Sequence, residues 1–211
     1  MPTTENRSRD RSHDRSVDVE LRPYAPADFD IIYQIDQACY EPRIAYSRTE
    51  LRQYLRFPGA DCVVAEAKQL NSAEATPQNS AKTTHKFSAE AAHQKSAGAA
   101  DSANAAPALV GFCITAHRGP WGYIITMDVL AAYRRDGVGS LLLTEAERRM
   151  VSRGVREIGL ETATDNSAAI AFWQKHGYRK SGVRKNYYPG GRDAYSMAKR
   201  LAAVQSAANG K

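Results

Sequence analysis

The segment Arg134-Arg135-Asp136-Gly137-Val138-Gly139-Ser140 joins two cationic side chains to two closely spaced glycines, directly ahead of a helical pattern. Glycine lets the chain turn tightly, and the first N–H groups of a helix have no intrahelical partner. Such a segment is suited to hold an anion, phosphate above all. A dinucleotide-binding turn is the first competitor, since Glu157 lies twenty residues past Gly137, where a ribose-binding acid would stand. It is set aside because Leu142 replaces the third glycine and because the preceding strand does not start a parallel strand–helix alternation. Other chemistries lack support. There is no Gly-x-Ser-x-Gly elbow, no Gly-Lys-Ser/Thr loop, no Cys-x-x-Cys pair and no His-Glu-x-x-His run. The five histidines are scattered, so no metal is expected. Cys39, Cys62 and Cys113 sit among apolar or aromatic neighbours and read as free buried thiols.

Charge points to the same half of the chain. Between Ala131 and Arg200 there are fourteen Lys or Arg against seven Asp or Glu, which accounts for the whole net charge of +6. The interleaved acids argue against a continuous nucleic-acid stripe; a small polyanionic cofactor is served equally well.

The elements that must position this turn follow from periodicity. Val17, Val19 and Leu21 alternate with charged residues as a half-buried strand that Pro23 ends. Asp28 can cap a helix running to Cys39, and Ser47 to Phe57 reads as a second, shorter helix. Strands are expected at Cys62–Ala67, Ala108–Ala116 and Gly122–Val129. After the glycine turn, Val138, Leu141, Leu142, Ala146 and Met150 recur at helical spacing until Gly154. A strand at Arg156–Thr162, a helix from Asn166 to His176, and strands at Tyr178–Arg184 and Ala194–Lys199 complete the order. Residues 1–16 read as a disordered leader, 71–107 as a disordered polar insertion and 202–211 as a disordered tail, leaving 17–201 as one domain. Residues 71–107 contain no Val, Ile, Leu, Met, Trp or Tyr, too little apolar surface to offset the backbone entropy of ordering. With no long apolar run and no secretory leader, a cytoplasmic protein is expected, without a membrane partner.

The glycine turn, taken with Leu160-Glu161-Thr162-Ala163-Thr164-Asp165-Asn166 and Ala171-Phe172-Trp173-Gln174-Lys175-His176-Gly177-Tyr178, resembles the GNAT superfamily of acetyl-CoA-dependent N-acetyltransferases over Tyr123–Met197. Within that span, Arg184-Lys185-Asn186-Tyr187-Tyr188-Pro189 followed by Gly191-Arg192-Asp193-Ala194 is similar to the ribosomal-protein-alanine and protein N-terminal α-acetyltransferases. The resemblance implies an α+β (α/β/α) fold, a mixed, mostly antiparallel splayed sheet flanked by helices. It also implies acetyl-CoA as cofactor.

Residue by residue, it implies that the pyrophosphate lies on the backbone amides of Arg135, Gly137, Val138, Gly139 and Ser140, with Arg134 and Arg135 supplying charge. The backbone of Met127 and Val129 pairs with the pantetheine arm, and Asn166 either contacts the cofactor or caps its helix. Glu161 stands at the general-base position, on the strand face opposite Ile158 and Leu160. Its alternative is a salt-bridged strand glutamate. Tyr123 matches a tyrosine used near the amine, through a water, and is otherwise a packed strand aromatic. Trp173 replaces the tyrosine that serves the departing sulfur; indole donates a hydrogen bond but cannot act as an acid, and the alternative is helix core. Asp128 is either a ligand for the substrate ammonium or a satisfied structural carboxylate. Tyr187 and Tyr188, on a turn ended by Pro189, wall a peptide slot or simply pack. The resulting expectation is transfer to the N-terminal α-amine of a protein or peptide by direct attack in a ternary complex. The alternatives are a small-molecule amine acetyltransferase and a non-catalytic acyl-CoA or nucleic-acid binding module; nothing in the sequence fixes the oligomeric state.

Overall fold

The computed structural model describes residues 18–68 and 108–202. The leader, the polar insertion and the tail beyond Ala202 lie outside the described residues. The chain order is β1 (Val19–Pro23), α1 (Phe29–Cys39), α2 (Arg48–Arg56), β2 (Ala60–Ala67), β3 (Ala108–Arg118), β4 (Trp121–Val129), α3 (Val138–Ser152), β5 (Glu157–Ala163), α4 (Ser167–Lys175), β6 (Arg179–Tyr188) and β7 (Arg192–Arg200). Short 3-10 turns at Pro26–Asp28 and Ala131–Tyr133 lead into α1 and towards α3.

The strands form one seven-stranded sheet in the order β1-β2-β3-β4-β5-β7-β6. Every neighbouring pair is antiparallel except β4 and β5, which a helical crossover through α3 makes parallel. That parallel pair is short, joining Trp121–Tyr123 to Glu157–Gly159 and nothing further on. Beyond Tyr123 the two strands splay apart. A bulge in β4, which places Ile125 between the partners of Ile114 and Thr115, re-aims the strand at that point.

Each face of the sheet has its own core. On one side Leu142, Leu143, Ala146 and Met150 of α3 pack with Ile124, Ile158 and Leu160, and α4 adds Trp173. On the other, Phe29, Ile32 and Ile35 of α1 and Leu51 of α2 meet Val64, Phe112 and Ile114. Burying side chains of this size contributes about 1.5–3 kcal/mol each, so each face of the sheet is held by its own packed layer.

Three local expectations change. Asp28 does not cap α1 with its side chain; it accepts from the Arg22 guanidinium at 2.7 and 2.8 Å and from the Ala25 N–H at 2.7 Å. β6 starts at Arg179, because the Tyr178 ring is buried against Trp173 and its hydroxyl donates to Glu147 of α3. β6 also extends to Tyr188, so Tyr187 and Tyr188 end a strand rather than occupy the turn.

Candidate active site

Four pieces of chain converge where β4 leaves β5. The first is the glycine turn. Gly137 adopts a left-handed conformation (φ 85°), and a Cβ there would meet nothing within 4 Å. The open space and positive φ together favour glycine where another molecule approaches the backbone. Arg135 is likewise left-handed (φ 73°). Leu141 N–H is bonded to the Gly137 carbonyl, and among the described residues the N–H groups of Val138, Gly139 and Ser140 at the start of α3 have no partner, which suits them to an anion. The Ser140 hydroxyl is 3.0 Å from His176 Nε2, tying α3 to the end of α4. Arg134 Nε donates to the Val129 carbonyl at 2.9 Å, which ties this side chain to the end of β4.

The second piece is the open edge of β4. Leu130 N–H bonds the Val110 carbonyl, so in the antiparallel pattern Asp128 also faces β3, while Met127 and Val129 turn their N–H and C=O groups the other way. That way is the splayed edge, where an extended ligand can pair with the backbone. Val129 C=O already accepts from Arg134, and from the Cys39 thiol at 3.4 Å.

The third piece is β5. Glu161 lies on the face opposite Ile158 and Leu160, as its parity requires, with its side chain 9% exposed. Oε1 accepts from Arg184 Nη1 and from Ser196 Oγ, both at 3.2 Å, whereas Oε2 is buried with no partner among the described residues. A buried carboxylate oxygen without a donor is costly unless water or a ligand satisfies it. Tyr123 sits at the last position of β4 that pairs with β5, its ring edge 4.0 Å from where Gly159 would carry a Cβ.

The fourth piece is a set of tyrosines from opposite ends of the chain. Tyr187 and Tyr188 pack edge to face at 4.9 Å, and the Tyr188 hydroxyl donates to the Glu161 carbonyl at 3.4 Å. Burial pushes the Tyr188 phenol up to about 12. Facing them, Tyr46 donates to the Ile125 carbonyl at 3.4 Å and packs against Tyr54 at 4.9 Å. Burial raises the Tyr46 phenol, and Tyr54, Tyr187, Tyr188 and Asp128 lie near enough to raise it further. The hairpin carrying Tyr187 is fixed by Asn186 (φ 53°), whose N–H donates to Asp193, and by the Lys185–Asp193 ion pair at 2.7 Å.

Three sequence candidates take structural places. Asn166 accepts from the Ala169 N–H at 3.0 Å and caps α4. Trp173 is 8% exposed and packs edge to face on Phe172 and Tyr178, a core position. Asp128 is buried; Thr126 Oγ1 lies 3.2 Å from each of its oxygens, and Tyr40 is 3.4 Å from that hydroxyl. Burial, with Asp36 nearby, raises the Asp128 carboxyl to about 7. Sequence reading missed Tyr40, Tyr46 and Tyr54, which precede every recognised motif. It also missed Arg184 and Ser196 as partners of Glu161, although strand parity on β7 would have placed Ser196 opposite it.

Residues 66–178 match the acetyltransferase (GNAT) family, and the chain belongs to that family. An N-alpha-acetyltransferase of Saccharolobus solfataricus is 38% identical over 81 residues, 38% of this chain and 48% of that protein. The [ribosomal protein bS18]-alanine N-acetyltransferase of Escherichia coli is 39% identical over 69 residues, 31% of this chain and 47% of the relative. The chain thus matches about half the length of these curated relatives. In three dimensions, the crystal structure of the Escherichia coli ribosomal-protein-S18-alanine N-acetyltransferase superposes with a TM-score of 0.64 at 19% identity, covering 90% of this chain and 97% of the other, and shares the fold.

Proposed function

We propose that the protein transfers the acetyl group of acetyl-CoA to the N-terminal α-amine of a protein or peptide. The residues present suit the cofactor: free N–H groups at the start of α3, an open left-handed Gly137, and a β4 edge whose Met127 and Val129 backbone groups have no neighbouring strand. Acetyl-CoA supplies the acetyl group as an activated thioester. Arg135, Gly137, Val138, Gly139 and Ser140 hold its pyrophosphate through their amides, and Met127 and Val129 orient the pantetheine arm.

The observation that carries the catalytic reading is the unpartnered Oε2 of Glu161 beside the splay. An N-terminal ammonium, with an ordinary pKa of about 8, must lose a proton before its nitrogen can attack, and Glu161 Oε2 has the free lone pairs to take it. Arg184 and Ser196 fix the other oxygen and so orient the carboxylate. Tyr123, next to the point where the strands part, positions the water through which that proton passes. Tyr46, Tyr187 and Tyr188 form walls that suit the first residues of an extended peptide better than a compact amine. Relatives named as an N-alpha-acetyltransferase and as a [ribosomal protein bS18]-alanine N-acetyltransferase support this acceptor. The test is thiol release from acetyl-CoA with peptides beginning in alanine or serine, run beside polyamines and aminoglycosides. Turnover on peptides alone is expected; turnover on small amines alone would overturn the acceptor assignment.

A further inference from the structure

A second charged feature lies away from the splay. α2 repeats arginine every fourth residue, Arg48, Arg52 and Arg56, which places three guanidinium groups along one side of the helix. They line a groove of about 430 Å³ together with Tyr24, Phe29 and Asp30. Phe29 forms a floor: the Arg52 guanidinium carbon is 4.2 Å, and that of Arg48 5.2 Å, from its ring centroid, and Arg48 also lies 4.8 Å over Tyr33. These stacked side chains are held in place before any ligand arrives. Among the described residues Arg48 pairs with Asp30, whereas Arg52 and Arg56 make no ion pair. Repelling cations at four-residue spacing, one of them at the positive end of the helix, disfavour α2 on their own. The helix is nonetheless firmly set, by the Ser47–Glu50 capping box and by fully buried Leu51.

We propose that this groove binds an acidic, extended peptide segment. Successive arginines rise by about 6 Å along the helix, and alternate side chains of an extended strand are spaced by roughly 6.6 Å, so carboxylates at every second position meet consecutive guanidinium groups. Carboxylates crowd the neighbourhood, with Asp28 and Glu66 both held by Arg22 and Asp30 by Arg48. A short cationic ridge among acids suits a brief acidic stretch better than a continuous phosphate backbone. The segment belongs to the acceptor protein, which rests on the reading above: α2 carries both Tyr54, which packs on Tyr46, and the arginines of the groove, so one short helix contributes to both features.

The experiment measures fluorescence anisotropy of three labelled peptides with the full chain: an alanine-starting sequence with Asp or Glu at alternate positions beyond the first few residues, the same sequence with Asn and Gln, and the acidic one with its amine acetylated. The acidic peptide is expected to bind at least tenfold more tightly than the neutral one at low salt, to keep that advantage with its amine blocked, and to lose it in R52Q/R56Q. R52E/R56E should reverse it, with an unchanged thermal midpoint showing that α2 remains folded. Equal affinity for acidic and neutral peptides, an advantage that survives both double variants, or displacement of the acidic peptide by a single-stranded RNA of higher affinity would overturn the proposal. Binding of the blocked acidic peptide through Arg52 and Arg56, without acetylation of any peptide, would uphold the groove and refute the enzymatic reading instead.

Discussion

Among the described residues Glu161 is held through Oε1, while its buried Oε2 has no partner. Replacing it in E161Q keeps the shape while removing the proton acceptor. Turnover at neutral pH should fall by about 10²–10⁴-fold, with acetyl-CoA affinity retained in a calorimetric titration. Unchanged turnover across pH would remove Glu161 as the base. Two other carboxyls report on burial. Asp128 is raised to about 7 and Asp36 to about 6, each chiefly because burial disfavours the charged form. Near them lie Tyr40, Cys39, Tyr46, Cys113 and Arg134, of which only Arg134 is cationic. The native state therefore holds protons that the unfolded chain, with carboxyls near 4, has released. The stability these protonated groups confer is full below about pH 4 and is lost as pH rises through the native values. Urea midpoints should fall between pH 5 and pH 8, and D128N should flatten that fall. An equal slope in D128N would show that Asp128 does not titrate in this window.

At the scale of elements, the glycine turn and the splay depend on backbone geometry more than on side chains. Gly137→Asp puts a side chain on a left-handed residue and a carboxylate beside the phosphate site, so acetyl-CoA affinity should drop at least tenfold by calorimetry, and equal affinity would refute the phosphate assignment. For α4, a core position for Trp173 predicts that W173A loses about 3–5 kcal/mol of stability in urea melts, while W173F keeps kcat within a few-fold. A large loss of kcat in W173F at wild-type stability would return the indole to the reaction. Most elements were legible in the sequence because their apolar periods are clean, as in Val138 to Met150, and because Gly154 and Asn166 punctuate them. The side chains across the splay were not. Arg134 folding onto Val129 and Tyr46 facing the β6–β7 hairpin depend on contacts that no local period encodes.

For the whole molecule, the division of labour follows the chain. The family match at residues 66–178 covers the glycine turn, the β4 edge and Glu161, but neither α1 and α2 nor the hairpin that carries Tyr187 and Tyr188. The glycine turn, the β4 edge and Glu161 thus lie within the family match, whereas the tyrosines and arginines proposed to meet the acceptor lie outside it. This explains why the acetyl-transfer reading rested on motifs, and the peptide reading on a single Asn-Tyr-Tyr-Pro segment. The most direct test of the central claim is to incubate the protein with acetyl-CoA and alanine- or serine-starting peptides that also contain lysine, and to locate the product acetyl group by fragment mass spectrometry. Acetylation of the N-terminal α-amine, lost in E161Q, is expected; acetylation confined to lysine side chains, or none on any peptide while acetyl-CoA still binds, would rule out N-terminal transfer.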